Sequence, residues 1–427
     1  MKLLTRLHID NLYLLQIKGG QKMKKRVLAT LMSVSLVAAL LVGCGNSGST
    51  ATSSTTTDSS TTTDSSTTTD SSSTDTAASS SDSASTDTAA SSDAAAGGDY
   101  TFEIIVKSYQ SSYWQAAVTG VNQKAEELGV KVSCTGPNAE SDIADQVNML
   151  NNAINNAPNG IGLAACDQEA CLDALQTAMD KGIPVVCFDS GIPSAPEGSV
   201  YATIATDNYA AGATAAENLY PALKDKIDSA SAPVRIGEVN QEATSESITS
   251  RGLGFIDKII ELATADGKSV AVIGNEYYVN NCKDKGDEAS ADIIIEVAVP
   301  AQTTVELCAT EASVILNKAD TIGMFGSNQV AAEGILTANE NLDVLGTDPA
   351  TSILAAGFDA GSVIKGAITS GKMFGAVTQS PLAMGQMTVE VLTKIANGES
   401  VSDVPTQGYW YDSTNMDDAS IAPNLYD

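Results

Sequence analysis

Residues 101–134 read TFEIIVKSYQSSYWQAAVTGVNQKAEELGVKVSC, two apolar runs separated by a segment of helical period. The runs at 101–107 and 130–134 are short and mostly apolar, without strict alternation, as in strands of a sheet covered on both faces. The apolar residues between them recur at intervals of three and four positions: Trp114, Ala117, Val118, Val121, Ala125 and Leu128. The segment therefore predicts a strand, a helix and a second, parallel strand.

The same alternation continues along the chain and then restarts after the polar stretch 224–232. Further strands are predicted at 160–164, 183–188, 234–239, 270–273, 293–299, 322–325 and 353–358, with a helix at 245–263. Strands and helices in alternation imply parallel sheets covered by helices on both faces. The predicted fold class is α/β, with two Rossmann-like lobes that each contain a parallel sheet flanked by helices.

Polar side chains follow several of these apolar runs, where each predicted strand ends. They are Asp189, Asn240, Asn328, Asp359 and Gln379. Ligands of open parallel sheets bind at the carboxyl ends of the strands. A set of carboxylates and amides with few cations suits a polyhydroxylated ligand better than a phosphate. The alternative for each position taken singly is a helix cap.

The N-terminal residues have the pattern of an export signal. A basic segment at 24–26 precedes an apolar run at 27–43 and then Cys44. This order is typical of a secretory signal peptide, and residues 41–44 (LVGC) resemble a bacterial lipobox. We therefore expect cleavage before Cys44 and a lipid anchor on its sulfur. Residues 1–22 have no part in this signal, and we expect translation to start at Met23.

A low-complexity segment follows the predicted anchor. Residues 45–98 contain no Lys, Arg, Val, Ile, Leu or aromatic residue, and the unit TTTDSS occurs three times in 55–72. Such a composition cannot bury enough apolar surface to offset its ordering entropy. We expect residues 44–98 to form a lipidated, disordered tether and residues 99–427 to fold.

Composition excludes several classes of function. The only histidine is His8, so the region after the predicted signal has no imidazole for a catalytic triad or a His-ligated zinc. The formal net charge is −29, which disfavours nucleic acid as a partner. No calcium-loop motif is present, and no metal site is predicted. We expect the six cysteines after Cys44 to be free thiols.

Residues 99–427 resemble the type I periplasmic binding proteins of ribose/galactose type, the solute receptors of sugar ABC transporters. The resemblance rests on seven stretches in order: 107–120 (KSYQSSYWQAAVTG), 182–191 (GIPVVCFDSG), 205–212 (ATDNYAAG), 251–255 (RGLGF), 325–328 (FGSN), 357–360 (GFDA) and 377–381 (VTQSP). It implies two lobes joined by a hinge that the chain crosses three times.

The resemblance also implies a set of ligand-binding residues. Tyr113 and Trp114 occupy the positions of the aromatic residues that sandwich the sugar ring in this family. Five further residues stand where the family binds sugar hydroxyls: Asp189, Arg251, Asn328, Asp359 and Gln379. Planar carboxylate, guanidinium and amide groups can each address two neighbouring hydroxyls.

Two positions in the site depart from the family pattern. Ser111 replaces an amide of the ribose binders, and Ser190 replaces a cation that follows the aspartate. A polar insertion between Gly274 and Ala291 obscures the aromatic residue expected from the second lobe. Tyr277 and Tyr278 are the candidates there, and surface tyrosines are the alternative.

The family pattern also sets the expected lobe boundaries, with hinge crossings near 206, 379 and 407. The first lobe would comprise 99–206 and 380–407, and the second would comprise 207–379 and 408–427. Ligand contacts both lobes only when they are closed, so it shifts the population toward the closed form that the permease reads.

The expected function is that of an extracytoplasmic receptor anchored to the bacterial membrane. It would bind a monosaccharide or similar polyol and deliver it to the permease of an ABC importer, or also to a chemoreceptor. It would act as a monomer, with no cofactor and no catalytic residue. Two alternatives remain: a surface sugar-processing enzyme that uses Asp189 and Asp359, and a receptor for a furanose-like signalling molecule.

Overall fold

A computed structural model of the protein describes residues 99–427. The predicted signal peptide, the lipidation site Cys44 and the tether lie outside the described residues. In residues 99–427, no helix is both long and apolar enough to cross a membrane. All six cysteines in this part of the chain are free thiols.

Strands and helices alternate along the described chain. The strands are β1 (Thr101–Ile105), β2 (Lys131–Thr135), β3 (Gly160–Leu163), β4 (Val185–Phe188), β5 (Val200–Thr206), β6 (Val234–Val239), β7 (Val270–Gly274), β8 (Ile293–Ala298), β9 (Thr321–Gly326), β10 (Leu345–Gly346), β11 (Ile353–Phe358), β12 (Gly375–Thr378), β13 (Val404–Thr406) and β14 (Tyr409–Tyr411). The helices are α1 (Ser112–Leu128), α2 (Ile143–Asn156), α3 (Leu172–Asp180), α4 (Asn208–Ser229), α5 (Glu246–Ala265), α6 (Glu276–Asn281), α7 (Val305–Leu316), α8 (Gln329–Leu342), α9 (Ser362–Thr369) and α10 (Pro381–Ala396).

The strands form two separate sheets, which define two lobes. The sheet of the first lobe has the order β13-β5-β4-β3-β1-β2 and is parallel throughout. The sheet of the second lobe has the order β14-β12-β11-β9-β6-β8-β7, with β10 beside β11, and only β14 is antiparallel. The chain passes between the sheets after β5, β12 and β13. The predicted α/β architecture of two parallel sheets is confirmed.

The central strands are buried along their whole length and are mostly apolar, because helices cover both faces of each sheet. Every residue of β3, β4, β6, β9, β11 and β12 is buried. Strands of this kind cannot show alternating hydrophobicity, since neither face meets water. Their carboxyl ends carry the polar residues that the sequence singled out.

Helices α4 and α5 of the second lobe approach each other closely at two glycines. A Cβ atom at Gly212 would lie 1.9 Å from the Arg251 carbonyl oxygen, and one at Gly254 would lie 2.1 Å from the Tyr209 carbonyl oxygen. Neither distance is sterically possible, so both positions need glycine. The contact fixes the position of the Arg251 backbone relative to α4.

We predict that Gly212→Ala destabilises the protein and moves Arg251. Overpacking of a tight contact costs about 1–3 kcal/mol of the free energy of unfolding. The matched control is Gly366→Ala, because Gly366 also lies in a helix but has open space around its Cβ position. The control should stabilise the protein by about 0.5–1 kcal/mol, as alanine favours helix. Urea unfolding of both variants measures the difference, and equal stability would contradict the prediction.

Candidate functional site

In each sheet, one strand is followed directly by a buried aspartate with an unusual backbone conformation. Asp189 follows β4 with φ +62°, and Asp359 follows β11 with φ +72°. The Asp189 N–H donates to the Ile204 carbonyl at 2.8 Å, and the Asp359 N–H donates to the Val377 carbonyl at 2.7 Å. Left-handed backbone is uncommon for residues other than glycine, and Asp tolerates it better than most. Both sheets therefore hold an aspartate at the interlobe cleft in the same way.

Asp189 is bound by two side chains of its own lobe. The Tyr113 hydroxyl donates to Asp189 Oδ2 at 2.5 Å, and Lys107 Nζ lies 3.5 Å from Asp189 Oδ1. Burial lowers the pKa of Lys107, but the carboxylates of Asp189, Glu140 and Glu242 outweigh burial and raise that pKa above its ordinary value. The Lys107 side chain is thus a charged ammonium group inside the cleft.

Asp359 accepts two hydrogen bonds, one from Gln379 at the lobe boundary and one from Gln329 of the second lobe. Gln379 Nε2 donates to Asp359 Oδ1 at 2.8 Å, and the Gln329 N–H donates to Asp359 Oδ2 at 3.0 Å. Burial raises the pKa of the Asp359 carboxyl, although Arg251 and these hydrogen bonds oppose that rise. Each oxygen keeps one lone pair that a ligand hydroxyl can use.

Arg251 is a buried cation without an ion pair. Its Nη1 donates to the Ser327 carbonyl and its Nη2 donates to Asn208 Oδ1, both at 2.7 Å. The guanidinium lies over the Phe358 ring, 3.6 Å from the ring centroid. Among the described residues no carboxylate forms a salt bridge with Arg251, and its Nε has no hydrogen-bond partner. An unpaired buried donor of this kind is available to a ligand.

Glu140 bridges the two lobes on the other side of the cleft. Its Oε1 accepts from Trp114 Nε1 at 2.8 Å, and its Oε2 accepts from Gln241 Nε2 of the second lobe at 2.7 Å. Burial raises the pKa of Glu140, while Lys107 and the Trp114 hydrogen bond oppose this rise. Gln241 Oε1 is buried and has no partner, so it is an available acceptor.

Eight of the nine predicted ligand-binding residues line one cavity between the lobes. They are Ser111, Tyr113, Trp114, Asp189, Arg251, Asn328, Asp359 and Gln379. Ser190 does not line it: the side chain is fully buried, and Ser190 Oγ accepts from the Ser247 N–H at 3.3 Å. Asn328 also caps α8, because its Oδ1 accepts from the Ala331 N–H. Asn328 is therefore both a helix cap and a residue of the cavity wall.

Seven lining residues were not predicted from the sequence. They are Lys107, Glu140, Gln241, Ser247, Ile248, Gln329 and Val330. Lys107 had a detectable signal, since it is the last residue of the run 101–107 and the first of the stretch 107–120 that resembles the family. Lys107 follows β1, which β3 separates from β4, and its ammonium group pairs with Asp189 where Ser190 offers no cation.

The candidates for a second-lobe aromatic residue lie elsewhere. Tyr278 is fully buried in the core of the second lobe, and its hydroxyl donates to the Glu242 carbonyl at 3.2 Å. Tyr277 is 37 % exposed, and neither tyrosine lines the cavity. The inserted residues instead form α6 and the connection from edge strand β7 to β8. Neither tyrosine of this insertion therefore reaches the cavity, and Tyr277 lies at the surface, as the alternative expected.

The lining side chains form hydrogen bonds with one another and fill almost the whole cavity. Its free volume is about 20 Å³, which is close to the space that one water needs. In the described residues, no group of three or more His, Cys, Asp or Glu side chains could hold a metal ion. Its wall carries many hydrogen-bond donors and acceptors and two aromatic rings.

The comparison with known proteins identifies the class. Residues 102–400 match the family model described as periplasmic binding protein domain, and the chain belongs to that family. It is 24 % identical to the ribose import binding protein RbsB of Haemophilus influenzae over 301 residues, which cover 70 % of this chain and 87 % of that protein. The resemblance to the type I sugar-binding proteins is confirmed.

Solved structures show the same fold. An ABC transporter protein of Brachyspira murdochii, described as a LacI family transcriptional regulator, is 31 % identical with a TM-score of 0.63 and covers 77 % of this chain and 99 % of its own. An ABC transporter solute-binding protein of Agrobacterium vitis with bound D-fucose is 27 % identical with a TM-score of 0.62 and covers 76 % of this chain and 100 % of its own.

A buried acid lies directly behind the cavity wall. Glu238 of β6 is fully buried, its Oε1 accepts from Asn240 Nδ2 at 2.6 Å, and its Oε2 has no partner. A Cβ atom at Gly252, the residue after Arg251, would lie 2.6 Å from Glu238 Oε1. Burial raises the pKa of Glu238 well above its ordinary value. The folded state therefore favours the neutral acid.

We predict that Glu238→Gln stabilises the protein more as the pH rises. A raised folded-state pKa gives Glu238 a contribution that is fully present below its unfolded pKa and is lost as pH rises through the folded pKa. The variant cannot ionise, so its advantage should be smallest at pH 4 and increase as the pH rises above the ordinary pKa of a glutamate. Urea unfolding at pH 4, 5.5 and 7 measures this. A constant difference at all three pH values would contradict it.

Proposed function

We propose that the protein is an extracytoplasmic receptor that binds a monosaccharide or similar polyol between its two lobes and delivers it to an ABC permease. The observation that carries the proposal is the interlobe cavity, where Arg251 Nε and Gln241 Oε1 are buried polar atoms without partners. A ligand with several hydroxyls can satisfy both, since each hydroxyl donates and accepts. The family relatives that are import binding proteins support the same function.

The aromatic residues support a sugar as the ligand. Tyr113 and Trp114 are both almost fully buried on the cavity wall, and their rings meet edge to face with centroids 4.9 Å apart. Aromatic faces bind the C–H faces of a sugar ring and exclude water around its hydroxyls. The three charged groups Asp189, Arg251 and Asp359 then bind the hydroxyls through charge-assisted hydrogen bonds.

Binding requires the lobes to part. The cavity holds about 20 Å³, whereas small-molecule sites measure about 300–1,000 Å³. Sugar entry therefore breaks cross-lobe bonds such as Lys107 Nζ to Ser247 Oγ at 2.9 Å. We propose that 99–206 with 380–407 and 207–379 with 408–427 move as the two lobes, and that the closed form is the one the permease binds.

The proposal also includes export with lipid anchoring, and the absence of catalysis. The basic and apolar segment before Cys44 supports export and lipid anchoring at that cysteine. We propose a monomer that performs no reaction, because the curated relatives are import binding proteins. Recovery of the bound sugar unchanged would support this part.

A sugar panel tests the proposed function. We expect at least one of D-ribose, D-arabinose, D-fucose, D-glucose, D-galactose and myo-inositol to raise the melting temperature of the purified protein. A ligand at 100 times its Kd adds about 2.7 kcal/mol to the free energy of unfolding. No shift with any of these compounds, in protein shown to be folded and freed of copurified ligand, would contradict the proposal.

We predict that Asp359→Asn weakens binding of the panel sugar at least tenfold. Asparagine tolerates the left-handed backbone of this position but removes the charge that strengthens hydrogen bonds to hydroxyls. The matched control is Asp343→Asn, an exposed residue with φ +50° in the same lobe. Calorimetric titration should show affinity within twofold of the parent for the control. Equal affinity of both variants would remove Asp359 from the site.

A further inference from the structure

A second, larger cavity adjoins the first one on the surface side of the cleft. Its volume is about 440 Å³, and it shares Ser111, Glu140, Gln329 and Val330 with the ligand cavity. It reaches the surface at the exposed side chain of Asn138. A volume of this size lies within the range of about 300–1,000 Å³ found for small-molecule sites. We name this space the outer chamber.

The outer chamber stays open although the lobes touch around it. At one contact, Gln329 Nε2 of the second lobe donates to Ser112 Oγ of the first at 3.1 Å. At another, the Ser141 N–H of the first lobe donates to Thr303 Oγ1 of the second at 3.0 Å. Both contacts are already formed, and the chamber remains open beside the inner cavity, with which it shares four lining residues. Once a sugar has parted the lobes far enough to enter the inner cavity, a group attached to it meets the outer chamber on the surface side.

The walls of the outer chamber suit an uncharged group. They carry three apolar side chains, Ala139, Val305 and Val330, among uncharged polar ones such as Ser111 and Thr303, and no aromatic residue or basic side chain. Its two acids are already engaged: Trp114 and Gln241 donate to Glu140, and Gln329 donates to Glu333 at 2.8 Å. An anionic group such as a phosphate would meet these acids without any cation to balance it.

We propose that the ligand is a glycoside with an uncharged aglycone rather than a free monosaccharide. The sugar ring lies in the inner cavity against Asp189, Arg251 and Asp359, and the aglycone extends past Ser111 into the outer chamber. This inference rests on the proposed function, because it assigns the sugar to the same inner site. It adds a second contact region, which increases affinity through burial of apolar surface.

Calorimetry with matched pairs of ligands tests the inference. The probes are the free sugars of the panel and the p-nitrophenyl glycosides of D-ribose, D-glucose, D-galactose and D-fucose. We expect at least one glycoside to bind tenfold or more tightly than its free sugar, with the glycoside recovered intact. Free-sugar binding without any tighter glycoside would overturn the inference and leave the proposed function standing. Absence of binding by both groups would overturn both.

Substitutions in helix α7 test whether the aglycone binds in the outer chamber. Val305→Trp fills the outer chamber from a residue that does not line the inner cavity, and should weaken glycoside binding tenfold or more while free-sugar binding changes less than twofold. Val314→Trp is the control, because Val314 lies on the same helix and is 55 % exposed. Ala139→Trp repeats the test from the opposite lobe if Val305→Trp does not fold. Unchanged glycoside affinity in a folded chamber variant overturns the inference.

Discussion

Charged side chains buried between the two lobes need polar partners, and this requirement determines how the lobes fit together. Lys107 of the first lobe pairs with Asp189 and donates to Ser247 of the second. Arg251 uses neutral oxygens of its own lobe and keeps one donor unused. The cross-lobe bonds stabilise the closed arrangement, and the unused donor is the group that a ligand can satisfy. The cross-lobe bond and the unused donor therefore belong to side chains that line the same cavity.

The parallel sheets determine where these groups lie. Each sheet brings the carboxyl ends of its strands to the cleft, and the residue after β4 or β11 adopts the same left-handed conformation in both lobes. Helix α5 then presents Arg251 to the cavity, and glycine contacts with α4 fix its backbone. The outer chamber results from small residues such as Thr303 on the rim of the second lobe. The groups proposed to bind hydroxyls therefore lie at the strand ends, and the space proposed for a substituent of the sugar lies on the rim of the cleft.

The strands could be predicted closely because burial on both faces makes their sequences continuously apolar: β9 was expected at 322–325 and spans Thr321–Gly326. Strands β10, β13 and β14 were not named, since two or three residues are too few to show a pattern. Strand β5 was missed because its residues alternate between buried and partly exposed, so it has no continuous apolar run. Eight candidate residues line the cavity, yet Glu140 and Gln241 were missed because both lie in loops without a local signal. Ser190 was expected there but packs behind it. Which loop side chains reach the cavity depends on how two lobes meet, and local sequence does not encode that.

A crystal structure of the protein with its tightest-binding sugar tests the central claim most directly. The expected result is one ligand whose ring contacts Tyr113 or Trp114 of the first lobe and whose hydroxyls bind Arg251 and Asp359 of the second. Such a ligand would replace protein contacts that now fill the cavity. A ligand that contacts only one lobe, or that binds away from both aspartates, would contradict the account.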